Sequence, residues 1–227
     1  MQPIPPLPPL DELTRRLDPL MGTPAVAVIA VCALIIVSVR DWRVVLTAVM
    51  ALYLALALLT ASLLPPEWAL LRVVTGGLVA IMWYLSAQAA GWGGYFLPFQ
   101  VQGGVKARPL SSTTAFRLVL ALALAGVLLA IQPRVPLPPL PPDVRAAVGW
   151  LAAFALLGLA LGDEALQGGS ALLMWLAGTQ LIVAALSRDS WLIWLVTTVE
   201  LLLGLATAYL IVARGAGMAG VPPKDGH

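Results

Sequence analysis

Seven long apolar runs follow one another along the chain, separated by short stretches that are charged or contain proline. At about 1.5 Å of rise per residue, runs of this length form helices that match the roughly 30 Å hydrocarbon core of a bilayer. The pattern predicts an all-α, polytopic membrane protein with about seven transmembrane helices and no β-sheet. The predicted spans are Pro24–Val39, Val44–Leu64, Ala69–Ala90, Ala115–Ile131, Val144–Leu161, Gly168–Leu186 and Trp191–Val212.

The polar and proline-rich segments divide the chain into three parts. Residues 1–23 begin with PIPPLPPL, which favours an extended polyproline II segment, and continue with leucines at helical spacing that predict a short interfacial helix. Residues 24–213 form the predicted transmembrane domain, and residues 214–227 form a polar tail that is predicted to be disordered. The longest connection, Gly91–Thr114, is expected to lie along the membrane surface or to dip briefly into it.

Composition supports the membrane assignment and excludes several functions. Hydrophobic residues make up 60% of the chain and charged residues only 11%, against roughly 25% charged residues in soluble domains. The net charge of +2 on scattered side chains does not suggest nucleic-acid binding. With one cysteine, Cys32, and one histidine, His227, the chain by itself provides no disulfide, thiolate metal site or catalytic triad. No catalytic residue, metal site or cofactor is predicted.

Basic residues near the predicted spans bear on orientation. Seven spans place the termini on opposite sides, and the Lys and Arg count is nearly equal on the two sides. When Arg72, Arg117 and Arg145 are left out because they lie at span edges, the side that holds the C-terminus has more Lys and Arg residues than the other side. This favours a multi-pass protein of the cell (inner) membrane with its N-terminus outside. Arg72 is expected to extend its side chain to the interface.

A shift of 123 residues (Arg40 to Asp163, for example) superposes spans one to three on spans five to seven without gaps. Both copies would run in the same direction, which predicts a 3+1+3 parallel repeat with the fourth span between the copies. The same alignment also arises by chance from evenly spaced helices, and the two explanations stay open at this point.

Glu200 is the one acidic side chain that the sequence places deep inside a span. A carboxylate there is costly unless it is protonated, paired or facing water. Counting from the hairpin before Trp191, Gln180 and Thr197 fall at a similar depth, and Thr179 adjoins Gln180. The sequence therefore predicts a polar group of Glu200, Thr197, Gln180 and Thr179 between the last two spans. Because no basic side chain is assigned to this depth, a neutral Glu200 is expected.

Two roles for this group remain open. Glu200 is either a proton-carrying site held by hydrogen-bonding neighbours, or a permanently protonated residue that hydrogen-bonds neighbouring helices together.

Three stretches resemble known membrane subunits. One of them resembles the end of the hydrogenase-4 component E family: it is WLAGTQLIVAAL (Trp175–Leu186), which is followed by a hairpin and by a span with a central acidic residue. VSVRDWRVVLTAVMALYLALALL (Val37–Leu59) resembles that family's basic turn between its first two spans. ELLLGLA (Glu200–Ala206) is similar to the E-x-x-x-G-L-A motif of the K subunit of respiratory complex I and its antiporter relatives.

The resemblance implies a non-catalytic membrane subunit of a complex-I-like or hydrogenase-like oxidoreductase assembly, surrounded by other membrane subunits. It also implies a carboxylate and a histidine in the sixth span, where this chain has Leu176 and Gln180. The family's relay of two acidic residues is thereby reduced to Glu200 alone. The resemblance therefore does not imply active proton pumping by this chain. The alternatives are a purely structural small subunit of a large membrane complex and a stand-alone transporter of a small solute.

Overall fold

The computed structural model describes residues 20–92, 112–131, 140–187 and 190–219, and the regular structure in these residues is entirely helical. Its seven helices are α1 (Thr23–Ser38), α2 (Trp42–Ala61), α3 (Pro66–Ala89), α4 (Ser112–Ile131), α5 (Pro142–Leu161), α6 (Ala165–Leu186) and α7 (Ser190–Ala219).

Six of these helices, α2 to α7, are long and apolar enough to cross a membrane. Helix α1 is shorter, with 16 residues, which corresponds to about 24 Å. The prediction of an all-α polytopic membrane protein is confirmed. Of the seven predicted spans, all are helices, and α1 is the one that falls short of the length of a full crossing.

Proline and aspartate explain where several helices begin. Helices α3 and α5 start at Pro66 and Pro142, one residue after another proline. Proline suits the first turn of a helix because the N–H that it lacks would have no partner inside the helix. Helix α2 begins after Asp41, whose carboxylate accepts a hydrogen bond from the backbone N–H of Arg43. Proline residues of the stretches between the predicted spans therefore start the helices that follow.

Six helices form a flattened closed ring. In the order α1–α2–α3–α7–α6–α5, each helix packs against the next, and α5 returns to α1. Helix α6 also touches α1 and α2 across the ring, whereas α4 packs outside it against α1 and α5. The chain thus builds the ring from two groups of three consecutive helices, with α4 as the segment between them.

The two groups of three meet through corresponding helices that run in the same direction. Across α1 and α5, Thr23 contacts Asp143 at a sequence separation of 120. Across α3 and α7, Trp83 donates to Gly204 at a sequence separation of 121, and Arg72 donates to Glu200 at a separation of 128. These values bracket the shift of 123 residues predicted for the repeat, so the packing of the described helices is consistent with a 3+1+3 parallel repeat.

Large apolar side chains cover the outside of the ring. In the most apolar stretch of α4, only 11% is buried inside the protein, and the corresponding share is 33% in α3 and in α7. Apolar side chains on these outer faces are suited to contact with lipid or with other membrane helices. The tail predicted to be disordered from residue 214 is helical as far as Ala219, where α7 ends, so that boundary is wrong. The predicted interfacial helix before residue 20, most of the connection 91–114 and the tail residues 220–227 lie outside the described residues.

Candidate functional site

Glu200 lies inside the ring and forms an ion pair with Arg72. Both carboxylate oxygens accept from one guanidinium nitrogen of Arg72, at 2.9 and 3.1 Å. The side chains of Glu200 and Arg72 are 0% and 3% exposed, respectively. Helices α3 and α7 begin at the same face of the ring. Arg72 is about 9 Å and Glu200 about 15 Å beyond the start of its helix, so the pair lies well inside the apolar region.

The position of Arg72 corrects one expectation and removes the premise of another. Its side chain does not extend to the interface but turns into the ring, where it compensates the carboxylate. The expectation of a neutral Glu200 assumed that no basic group lies at its depth, and this assumption is wrong. An isolated buried charge is strongly unfavourable, whereas two opposite buried charges in contact stabilise each other.

Arg72 contacts residues of three neighbouring helices of the ring. Its second terminal nitrogen donates to the backbone carbonyl oxygen of Ala177 on α6, at 3.2 Å. Its guanidinium also lies 5.9 Å from the ring centre of Tyr53 on α2, within the range of a cation–π contact. The charge of Arg72 is therefore held by a carboxylate, a carbonyl and an aromatic ring from three different neighbours.

Tyr53 reaches this position because Gly76 leaves space for it. A Cβ atom on Gly76 would lie 2.4 Å from both Cβ and Cγ of Tyr53. Gly77, the next residue, would meet nothing within 4 Å. Gly76 thus fixes the contact between α2 and α3 beside the ion pair.

The polar residues predicted around Glu200 are only partly brought together. Gln180 and Thr197 are buried, and the Gln180 side-chain nitrogen donates to the Thr197 hydroxyl at 3.0 Å. Thr197 is on the same helix as Glu200, one turn earlier. Thr179 has an exposed side chain, and its hydroxyl donates to the carbonyl of Trp175 on its own helix. The structure thus places Gln180 and Thr197 inside the bundle and Thr179 on its outer side.

Two buried polar atoms near the pair have no hydrogen-bond partner in the part of the chain that the structure describes. They are the hydroxyl of Tyr53 and the side-chain oxygen of Gln180. Buried polar atoms of this kind are normally paired with protein groups or ordered water. The centre of the ring therefore has unused hydrogen-bonding capacity close to its charged groups.

Tryptophans lie on both sides of the ion pair along α3 and α7. Towards the start of these helices, the rings of Trp68 and Trp194 meet edge to face, with centroids 5.9 Å apart. Further along, Trp83 is fully buried and donates from its ring nitrogen to the carbonyl of Gly204 at 2.9 Å. These contacts fix the register of α3 against α7 and so the separation of Arg72 from Glu200.

A second polar cluster lies at the opposite face, where α1 and α5 end. Arg117 on α4 is almost fully buried; it donates to the Gln167 side chain at 2.7 Å and to Asp163 at 2.9 Å. Asp163 also pairs with Arg40 at 3.3 Å. Asp163 therefore joins α4 to the ring.

Arg72 is the residue of the candidate site that the sequence reasoning placed elsewhere. The available signal was its position seven residues into α3, beside the glycine face, on the helix that corresponds to the Glu200 helix in the predicted repeat. Among the described residues, no group of three or more His, Cys, Asp or Glu side chains could hold a metal ion. The chain matches no protein-family model, no curated protein and no solved structure.

Proposed function

We propose that this integral membrane protein is a subunit of a multi-subunit membrane complex and that its Arg72–Glu200 pair carries protons. The assembly that the sequence resemblance favours is a complex-I-like or hydrogenase-like one in the cell membrane. In this proposal the chain is not catalytic by itself and contributes a proton-carrying site to the oxidoreductase assembly.

The observation that carries the proposal is a fully buried ion pair at membrane depth, beside buried polar atoms without partners among the described residues. A buried ion pair is a poor choice for stability alone, because apolar residues of similar volume often stabilise a fold equally well or better. Ionisable groups inside membranes are, by contrast, common in proton relays. A role in proton transfer therefore explains the pair better than a role in stability.

The contacts of Arg72 support a simple proton-carrying step. When Glu200 takes up a proton, its attraction to Arg72 weakens, and the guanidinium keeps its contacts with the Ala177 carbonyl and the Tyr53 ring. When the proton leaves, the ion pair forms again. The Gln180–Thr197 pair, one turn from Glu200, provides polar groups along which a proton could reach or leave the carboxyl group.

A second candidate is a purely structural role, favoured by the way in which Arg72 bridges α3, α6 and α7. In that case the pair only fixes the packing of the ring. The simultaneous removal of both charges distinguishes the two roles, because apolar replacements can keep the packing but cannot carry a proton.

The test uses the full-length protein, purified through an affinity tag together with any subunits that accompany it. R72M/E200L removes both charges at once and avoids an unpaired buried charge, which E200Q would leave on Arg72. In proteoliposomes with a clamped membrane potential, the wild-type assembly should show proton flux and R72M/E200L should lose most of it. The matched control is R43M, which removes an exposed arginine at the other face of the ring and should leave the flux unchanged.

Equal proton flux in the wild type and in a well-assembled R72M/E200L variant would contradict the proton-carrying role and leave the structural one. Purification of a single chain with full activity would contradict membership in a complex and favour the transporter alternative.

A further inference from the structure

A cavity of about 360 Å³ opens at the face where α1 and α7 end, and we call it the vestibule. Its wall comes from α2, α6 and α7 and from the connections that follow α1, α3 and α5. This position is the mouth of the ring, away from the Arg72–Glu200 pair. The residues that define its chemistry are Arg40, Trp42, Trp92, Glu164, Ile211 and Arg214.

The charges of the vestibule leave one positive charge uncompensated. Arg40 and Arg214 face a single lining carboxylate, that of Glu164. Arg214 donates to the backbone carbonyl of Asp163 at 3.2 Å, and in the described part of the chain no carboxylate lies within ion-pair distance of it. Asp163 itself is shared between Arg40 and Arg117. The vestibule therefore matches a ligand group with one negative charge.

Backbone donors reinforce this preference. Helix α6 begins at Ala165 in the wall of the vestibule, and the preceding Glu164 makes no side-chain cap. The first N–H groups of a helix have no partner within it and favour a bound anion. Together with two guanidinium groups, which suit phosphate oxygens in shape and charge, they form a binding site for an oxyanion.

The aromatic residues indicate the depth of the site. Trp42 and Trp92 combine an apolar ring with a polar N–H, a combination that favours the headgroup region of a bilayer. The buried side chain of Ile211 adds apolar surface. A phosphate group with an apolar neighbour fits this combination of walls.

From this arrangement, we infer that the vestibule binds a monoanionic phosphate group, with Arg214 and Arg40 as its ligands. The group can come from the phosphodiester of an anionic lipid headgroup or from free inorganic phosphate, which share this chemistry. Basic pockets between membrane helices bind lipid headgroups in this way. The inference is independent of the proton-carrying role, since the vestibule and the ion pair share no residue.

The test measures phosphate-group binding to the purified, delipidated full-length protein by native mass spectrometry. Phosphatidylglycerol is the probe, and phosphatidylcholine is the lipid of equal size without net charge.

R214Q removes the lining arginine that has no carboxylate partner among the described residues, and R43Q is the matched control. Arg43 is exposed on the same face, lies against Trp42 and does not line the vestibule. The loss of one charge-assisted contact should weaken binding about tenfold in R214Q, while R43Q stays close to wild type.

Inorganic phosphate identifies the source of the group. If it stabilises the wild-type protein against heat but not R214Q, and phosphatidylglycerol binds no better than phosphatidylcholine, the vestibule takes the free ion. Selective, Arg214-dependent binding of phosphatidylglycerol identifies the lipid. Equal effects of R214Q and R43Q with both probes, or no saturable binding of either probe to the wild type, would overturn the inference.

Discussion

Replacement of Arg72 by methionine (R72M) is expected to lower the free energy of unfolding by about 3–5 kcal/mol. The change leaves the Glu200 carboxylate buried without its guanidinium partner, because the other described polar groups around it carry no positive charge. It also removes the bond from Arg72 to the Ala177 carbonyl on α6. Methionine keeps much of the side-chain volume, so the loss reports on charge more than on packing.

Unfolding in detergent or bicelles, followed by circular dichroism, measures this loss, and R40M is the control. Arg40 also pairs with a carboxylate, but its side chain is 38% exposed, against 3% for Arg72. An exposed pair is worth about 0–1 kcal/mol, so R40M should be nearly silent. Similar stabilities of R72M and R40M would show that Arg72 is not paired inside the ring.

The second large effect is expected from G76A, which should cost about 1–3 kcal/mol. The added methyl group would lie 2.4 Å from Cβ and Cγ of Tyr53. The Cβ atom is bonded directly to the backbone of α2, so rotation of the Tyr53 side chain cannot move it aside. Helices α2 and α3 must therefore separate, which also shifts Tyr53 relative to Arg72.

The neighbouring residue provides a close control, because a methyl group on Gly77 meets nothing within 4 Å. Alanine favours the helix over glycine by up to about 1 kcal/mol, so G77A should be neutral or slightly stabilising. Thermal unfolding of the two variants under one condition gives the comparison. If G76A is as stable as G77A, the close contact between Gly76 and Tyr53 is wrong.

The helices were predictable because membrane-spanning segments have a strong and simple signal. In hydrocarbon, backbone groups must be paired within the segment, so long apolar runs become helices whatever their neighbours are. The starts were less accurate: Gly168 was predicted to begin the sixth span, but α6 begins at Ala165. The polar residues near a helix end do not stop the backbone from continuing its hydrogen bonds.

The partner of Glu200 was not predictable in the same way. Arg72 is 128 residues away, and its position near the start of α3 fitted an arginine that reaches the interface. Only the packing of α3 beside α7 shows that its side chain turns inward. The predicted repeat makes α3 and α7 equivalent. Equivalence in a repeat does not by itself imply that the two helices are in contact, so the pairing of Arg72 with Glu200 did not follow from it.

The polar neighbours show how much a single residue step matters. Gln180 and Thr197 were predicted as inward-facing, and both are buried and bonded to each other. Thr179 precedes Gln180 by one residue, which corresponds to a rotation of about 100° around the helix. Its side chain therefore lies on the exposed side of α6. Depth along a helix can be counted from the sequence, whereas the direction of a side chain depends on which neighbours the helix packs against.

The most direct test of the central claim is a double-mutant cycle on Arg72 and Glu200. The stabilities of the wild type, R72M, E200L and R72M/E200L are measured under one condition. Each single variant leaves one buried charge unpaired, whereas the double variant leaves none. We expect both single variants to be strongly destabilised and the double variant to regain most of the loss, with a coupling energy of about 3 kcal/mol or more. If the losses of the single variants simply add in the double variant, Arg72 and Glu200 do not form an ion pair within the ring.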